Sequence, residues 1–340
     1  MEVDPFKDLR INISSFKDNC KKEILSRKEI KEKAVSFGIG YLDRVFIGLN
    51  PGDILLVGAK TGQGKTAIVT NLALNIARQN KKVSIFALEA RENELEQRLK
   101  YAAYTRAYFA DSKRMFSELR FPEWLAGRLD LVFAKYEEQV EAEMQKINNL
   151  SVLYRTSTDF NLETFEKTFL ALENETDVFI IDHLHYFDIE GANENKEFTD
   201  ITKKIRDLAL LHGKAVILVA HVRKKTNFMD RSILPTIDDF HGSSNISKIA
   251  TKAVMMSAYE PGDIPEEQKY GVLIHAAKFR EDGAATRYHA LTWYQRDGTY
   301  SDQFQLGRIV ENSKTKVQSF EAMEDDKKPY WARGAHERNY

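Results

Sequence analysis

With 340 residues and 43% hydrophobic content, the chain can bury one large α/β core or, less readily, two modest ones. A formal net charge of −1 gives no global sign of a polyanionic partner, although basic residues confined to one channel of an otherwise acidic assembly stay compatible with nucleic acid. Its single cysteine, Cys20, excludes an internal disulfide framework and a multi-cysteine zinc site, and neither a signal-like start nor an apolar run of roughly 18 residues is present, so a cytoplasmic protein without membrane spans is expected.

Residues 1–36 are highly charged, and Phe16, Cys20, Ile24, Ile30 and Ala34 predict a helix over Ser14 to Val35. Its narrow apolar stripe suits docking on its own core or on a neighbouring subunit. After Phe37 the texture changes, and the turn Gly48-Leu49-Asn50-Pro51-Gly52-Asp53 leads into an apolar strand at Ile54-Leu55-Leu56-Val57. The next stretch, Ala59-Lys60-Thr61-Gly62-Gln63-Gly64-Lys65-Thr66, precedes Ile68, Val69, Leu72, Ala73, Ile76 and Ala77 at helical spacing. Strand, glycine-containing loop and helix form the setting of a P-loop, in which backbone N–H groups and a helix N-terminus meet phosphate oxygens. This reading gives Lys65 the β- and γ-phosphates of ATP and Thr66 the Mg²⁺ ion, with Ala59 standing where the pattern has glycine.

The strand Lys82 to Leu88 ends at Glu89, either a carboxylate that activates water or merely the start of a helix with Glu92 and Glu94. Residues 92–149 read as mostly helical, broken near Pro122 and Gly127, with Tyr101, Tyr104, Tyr108 and Phe109 spaced for packing. A helix near Leu162 to Leu172 precedes the strand Asp177 to Asp182, whose terminal Asp182 is placed to hold Mg²⁺ through water. Beyond a polar loop and a helix through Ile201, Ile205, Leu208 and Ala209, the strand Ala215 to Ala220 ends at His221. His221 is either a γ-phosphate contact or a satisfied core residue. Arg223, Lys224 and Lys225 follow directly, and His241-Gly242-Ser243-Ser244-Asn245 opens a further helix, a turn suited to phosphate contacts through backbone N–H groups. Between strand-like runs at Val272 to Ala277 and Tyr288 to Trp293, Lys278 and Arg280 sit on a turn, where an arginine can reach an adjacent subunit's phosphate site. Residues 312–340 read as a charged mobile tail, with Pro329-Tyr330-Trp331-Ala332-Arg333 as a candidate docking peptide.

Together these motifs resemble the RecA-like motor domain of DnaB-type replicative hexameric helicases, over about Ser36 to Tyr300. The resemblance rests on Phe37-Gly38-Ile39 with Leu42-Asp43, on Phe86-Ala87-Leu88-Glu89 with Leu95 and Arg98, and on Asp182-His183-Leu184-His185. It also rests on His221-Val222-Arg223-Lys224, the loop at His241 to Asn245, and Lys278-Phe279-Arg280. The His-x-Arg-Lys segment is similar to the phage and Twinkle-like branch. His185 stands where the family often has Gln, and Thr251 where many relatives have an acidic residue.

The resemblance implies an α/β fold with a central, mostly parallel twisted sheet flanked by helices, here residues 37–311, preceded by a linker helix within 1–36. It implies a 5′–3′ helicase that hydrolyses ATP with Mg²⁺ on single-stranded DNA during replication, with the site shared between subunits of a homo-oligomeric ring, a hexamer as in the family. Glu89 would be the catalytic base, His221 the phosphate sensor, and Lys278 and Arg280 the residues acting in trans. Arg223, Lys224, Lys225, His241, Gly242, Ser243, Ser244 and Asn245 would face the DNA. The tail would serve a primase, polymerase or single-strand-binding partner. No N-terminal primase or primase-binding domain is expected. A recombinase-like or helicase-loading ATPase shares the same nucleotide residues, and a P-loop kinase would need a lid arginine cluster instead.

Overall fold

The computed structural model describes residues 27–29, 32–111, 119–155, 160–188, 194–222, 233–240, 243–260 and 268–333. The expected linker helix falls almost wholly outside them, and of that stretch 27–29 and 32–33 are helical. Val35 belongs instead to the main compact unit, exchanging backbone hydrogen bonds with Leu49.

The unit opens with α1 (Gly40–Phe46), then β1 (Ile54–Ala59), α2 (Lys65–Ala77), β2 (Val83–Ala87) and α3 (Glu94–Asp111). Short helices between 121 and 146 lead to β3 (Leu150–Tyr154), α4 (Leu162–Leu172), β4 (Val178–Asp182), α5 (Glu194–Leu211), β5 (Ala215–His221) and α6 (Ser243–Ile249). The antiparallel run follows as β6 (Lys252–Tyr259), β7 (Gln268–Phe279), β8 (His289–Gln295), β9 (Tyr300–Glu311) and β10 (Gln318–Ala322). They form one ten-stranded sheet in the order β10-β9-β8-β7-β6-β1-β5-β4-β2-β3. From β6 to β3 every neighbouring pair is parallel; from β6 to β10 every pair is antiparallel.

The central strands are apolar at successive positions because both faces are covered, as a parallel sheet requires. Leu55, Val57 and Ala59 point to one face with Ile85, Ile180, Ile217 and Val219, and there they meet Ile68, Val69, Leu72 and Ile76 of α2. Ile54 and Leu56 point to the other with Phe179, Ile181, Val216 and Leu218, against Phe165 and Phe169 of α4 and Ile201 and Ile205 of α5. The strand period of two thus sorts a continuous hydrophobic run into two cores. All these parallel strands end on one side of the sheet, where a doubly covered α/β fold leaves a crevice.

The segment expected as a mobile tail is folded as far as Arg333. β10 pairs with β9, and Phe320 lies against Gly307, where a Cβ would approach its ring carbons to 2.6 Å and the Glu321 carbonyl oxygen to 2.2 Å. Trp331 packs 6.4 Å from Tyr41 and 6.1 Å from Tyr288, while Arg44 donates to the carbonyls of Ala332 and Arg333. Of the aromatic residues that suggested a docking peptide, Trp331 is therefore used by the chain's own core, while Tyr330 stays exposed: a charged composition concealed a few large apolar anchors. Residues 334–340 lie outside the described part.

Candidate nucleotide site

The loop Ala59 to Gly64 joins β1, which lies between β6 and β5 in the parallel array, to the N-terminus of α2. Gly62 and Gly64 have φ of +78° and +88°, a region that favours glycine and lets the loop curl into the helix. The Gln63 amide oxygen accepts from the Ala258 N–H at 2.8 Å and from Ser257 Oγ at 3.1 Å, which ties the loop to the end of β6. Lys60, Thr61 and Gly62 are exposed or nearly so, Thr66 is half-buried, and Lys65 is buried with Nζ donating to the carbonyls of Ala59 and Lys60, both at 3.1 Å. Burial lowers the Lys65 pKa, opposed by the negative charges of Glu89 and Asp182. An ammonium turned back onto its own loop, with the loop exposed around it, is a donor set that fits a phosphate chain.

Three other strand ends converge there. Asp182 ends β4, opposite Ala87 of β2, and its carbonyl accepts from the Leu88 N–H at 2.8 Å. Its carboxyl is buried, and burial followed by Glu89 pushes its pKa up to about 6 against the opposing pull of Lys65. Glu89, two residues beyond β2, is exposed. His221 ends β5 directly opposite Ala59, and burial followed by Lys65 lowers its pKa. Neutral histidine, a basic lysine and two carboxylates thus meet at the carboxyl ends of β1, β2, β4 and β5. The acids and Lys65 suit a magnesium-bound triphosphate, since oxygen ligands match a hard cation and an ammonium matches phosphate.

One residue in this group was read in sequence only as part of the Asp182 to His185 motif, with no role of its own. His183, only 1% exposed, follows Asp182, and its Nε2 stands 3.0 Å from Glu89 Oε2. Burial, with His221, His185 and Lys65, holds its pKa down at about 3, so the ring is neutral near pH 7. The signal available was a histidine directly after the acid that ends a buried strand.

Lys278 and Arg280 do not join this site. Lys278 lies opposite Ala253 near the start of β6, and Arg280 donates its backbone N–H to the Thr251 carbonyl at 3.0 Å. This is the opposite end of the sheet, about 17 Å from the P-loop at roughly 3.3 Å per residue along β1. Lys278 Nζ donates to Ser247 O at 2.7 Å and so caps the C-terminus of α6, which leaves exposed Arg280 as the projecting member of the pair. The base of this hairpin is fastened by Lys252, fully buried and paired with Asp53, whose other oxygen accepts from Thr251 Oγ1 at 2.8 Å. Of the expected DNA-facing residues, Ser243, Ser244 and Asn245 open α6, while Arg223, Lys224, Lys225, His241 and Gly242 lie outside the described residues.

Residues 34–297 match the family of the DnaB-like helicase C terminal domain. The chain belongs to that family. It is 23% identical over 253 residues to the replicative DNA helicase DnaB of Mycoplasma genitalium, covering 72% of this chain and 50% of that protein. With the replicative DNA helicase DnaB of Geobacillus stearothermophilus it shares 22% identity over 288 residues, 83% of this chain and 59% of the relative. It therefore spans about half to three-fifths of these relatives' length. The solved ATPase domain of G40P superposes with a TM-score of 0.65 at 17% identity, over 84% of this chain and 98% of that one, which bears out the RecA-like fold. Among the described residues no helix is long and apolar enough to cross a membrane.

Proposed function

We propose that this DnaB-like domain is the motor of a replicative DNA helicase, hydrolysing ATP with Mg²⁺ and moving 5′–3′ on single-stranded DNA. The reading includes a homo-oligomeric ring, taken as a hexamer, in which each site is completed by a neighbour. The observation that carries it is the separation of two cationic groups needed for one reaction. Transfer of a phosphoryl group spreads negative charge over the leaving and attacking oxygens, and Lys65 alone neutralises little of it. Arg280 is exposed on a braced hairpin, yet at the far end of the sheet from its own P-loop. That distance argues against a role at its own site and supports the reading in which it serves the site of another copy.

In this scheme the Ala59 to Gly64 loop and Lys65 hold the phosphates, and Thr66 and Asp182 hold the metal. Glu89 takes the proton of the attacking water, and His221 meets the terminal phosphate. Magnesium, when bound, draws negative charge from the phosphate oxygens. The N-terminus of α6 and the basic segment 223–225 supply sequence-independent contacts to the DNA backbone.

Mixing two inactive variants tests the shared site. Lys65→Ala and Arg280→Ala proteins should each lose ATP turnover, and Arg280→Ala should still bind nucleotide. Mixed in equal amounts with single-stranded DNA, they should recover a measurable fraction, because some interfaces combine an intact loop with an intact arginine. Absence of recovery in a mixture shown by mass photometry to have exchanged subunits would refute the trans assignment.

A further inference from the structure

Glu89 is the group of the proposed reaction that is worst restrained. Its side chain is 49% exposed and lies beyond the end of β2. A general base acts only when held within hydrogen-bond reach of the water it deprotonates, and a free glutamate side chain has up to about 2 kcal/mol of rotamer entropy to lose. Two rings flank it. Tyr186, whose hydroxyl hydrogen-bonds to the carboxylate, stands edge-on to His183 at 4.7 Å between ring centres. His183 places Nε2 3.0 Å from Glu89 Oε2.

Which nitrogen of His183 bears the proton follows from its neighbours. Nδ1 accepts the backbone N–H of His185 at 3.3 Å, so a neutral ring carries its hydrogen on Nε2, facing the glutamate. That N–H is close to the carboxylate without being aligned on it and has no other acceptor among the described residues, so a small rotation of the exposed glutamate completes the bond. On its other side the His183 ring meets the His221 ring edge-on, 4.1 Å between centres. Ligand atoms of Glu89, His183 and His221 lie within 4.8 Å of one another, as in a transition-metal site. A ring nitrogen that carries its own hydrogen cannot ligate, however, so the hydrogen bond is the better account.

We infer that His183 is the positioning residue for Glu89 and couples it to His221, so that the ring meeting the terminal phosphate and the carboxylate activating water shift together. The inference rests on the ATPase reading above and adds a residue to it. The close ring contact gives a path by which His221, on engaging phosphate, moves the donor that holds the base.

The test uses the full chain with ATP and single-stranded DNA. His183→Phe keeps a ring and removes the donor; His183→Gln restores an N–H. Losing one such supporting partner should lower kcat by roughly 10- to 100-fold while KM for ATP changes less than about threefold. His183→Gln should recover much of that loss. In a Glu89→Gln background, His183→Phe should cost almost nothing further, because the two act as a unit. An unchanged kcat, a loss of ATP binding matching the loss of kcat, or full additivity with Glu89→Gln would each overturn the inference. Should His183→Phe fail to fold, His183→Leu, which also removes the donor, is compared with wild type in both Glu89 backgrounds and decides the same question. Stoichiometric Zn²⁺ binding in equilibrium dialysis that His183→Gln abolishes would assign the trio to a cation and also overturn it. Full turnover by Glu89→Gln alone would instead remove Glu89 as the base, which is a failure of the underlying reading.

Discussion

Replacing Asp182 by Asn should stabilise the metal-free protein while removing its activity. The Asp182 carboxyl is buried at the end of β4, and burial together with Glu89 raises its pKa from 3.8 to about 6. A raised value means that folding favours the protonated form. The folded state is thus unpenalised below pH 3.8, loses stability as pH rises toward 6, and bears the whole cost above that. The gap of about 2 pH units corresponds to roughly 3 kcal/mol at about 1.4 kcal/mol per unit. Lost attraction to Lys65 is already included in that balance, so Asn, neutral and nearly isosteric, should recover on the order of 1–3 kcal/mol at about pH 8 and close to nothing at about pH 4. Low-pH titration of His183 acts in the opposite direction, but it is common to both proteins and cancels in their difference. Urea unfolding in EDTA at about pH 4, 6 and 8 measures this directly. A mutant no more stable than wild type at the highest of these, or a gain independent of pH, would refute the argument. Added MgATP should then stabilise wild type more than the variant, reversing the order, since Asn lacks the charge that a magnesium ion requires.

Lys252→Met should cost about 3–5 kcal/mol in urea unfolding, because it strands Asp53 as a buried charge, and a loss under about 1 kcal/mol would show that the pair is not desolvated. Trp331→Ala should destabilise by about 1–3 kcal/mol and speed proteolysis within 312–333; unchanged protection would mean that the tail does not depend on its packing against Tyr41 and Tyr288. Changing Lys224 and Lys225 together to Ala should weaken single-strand binding and reduce the slope of log K against log salt by about 0.7 for each phosphate no longer neutralised, and an unaltered slope would place the DNA elsewhere.

The strand ends that form the candidate nucleotide site were legible because the residues there are local and stereotyped. A glycine-containing loop between an apolar strand and a helix has few alternatives, and an acid or histidine that ends such a strand falls at the crevice by topology. The strands that were missed fail on composition. β6 reads Lys-Ala-Val-Met-Met-Ser-Ala-Tyr, poor in β-branched residues and opened by a lysine, and only its place between β1 and β7 makes it a strand. Its Lys252 is tolerated because Asp53, 199 residues away in sequence, lies beside it. β3 is an edge strand with a half-exposed pattern, and β10 sits in a charged stretch where only Phe320 and its pairing with β9 give it a place. Pairing across long separations, as of β6 with β1 and β3 with β2, leaves no periodic trace in the chain. The same limit hid His183: its partner Glu89 is brought near by the parallel pairing of β2 and β4, which no spacing rule encodes.

That pairing logic also bears on how the two ends of the sheet communicate. Phe240, just before the turn proposed to face DNA, lies over Gly58 of β1, where a Cβ would come within 2.4 Å of its ring, so the strand leading to the P-loop and the start of that turn touch. At its other end α6 is held by Lys278 Nζ on Ser247 O, beside the hairpin that presents Arg280. Phe240, ahead of the helix, thus lies near its own nucleotide loop, and the C-terminus of α6 is held to the arm proposed to touch the neighbour's. Close-packed interiors do not absorb displacements smoothly. On the proposed reading, a shift at either nucleotide would reach α6, whose N-terminus carries Ser243, Ser244 and Asn245.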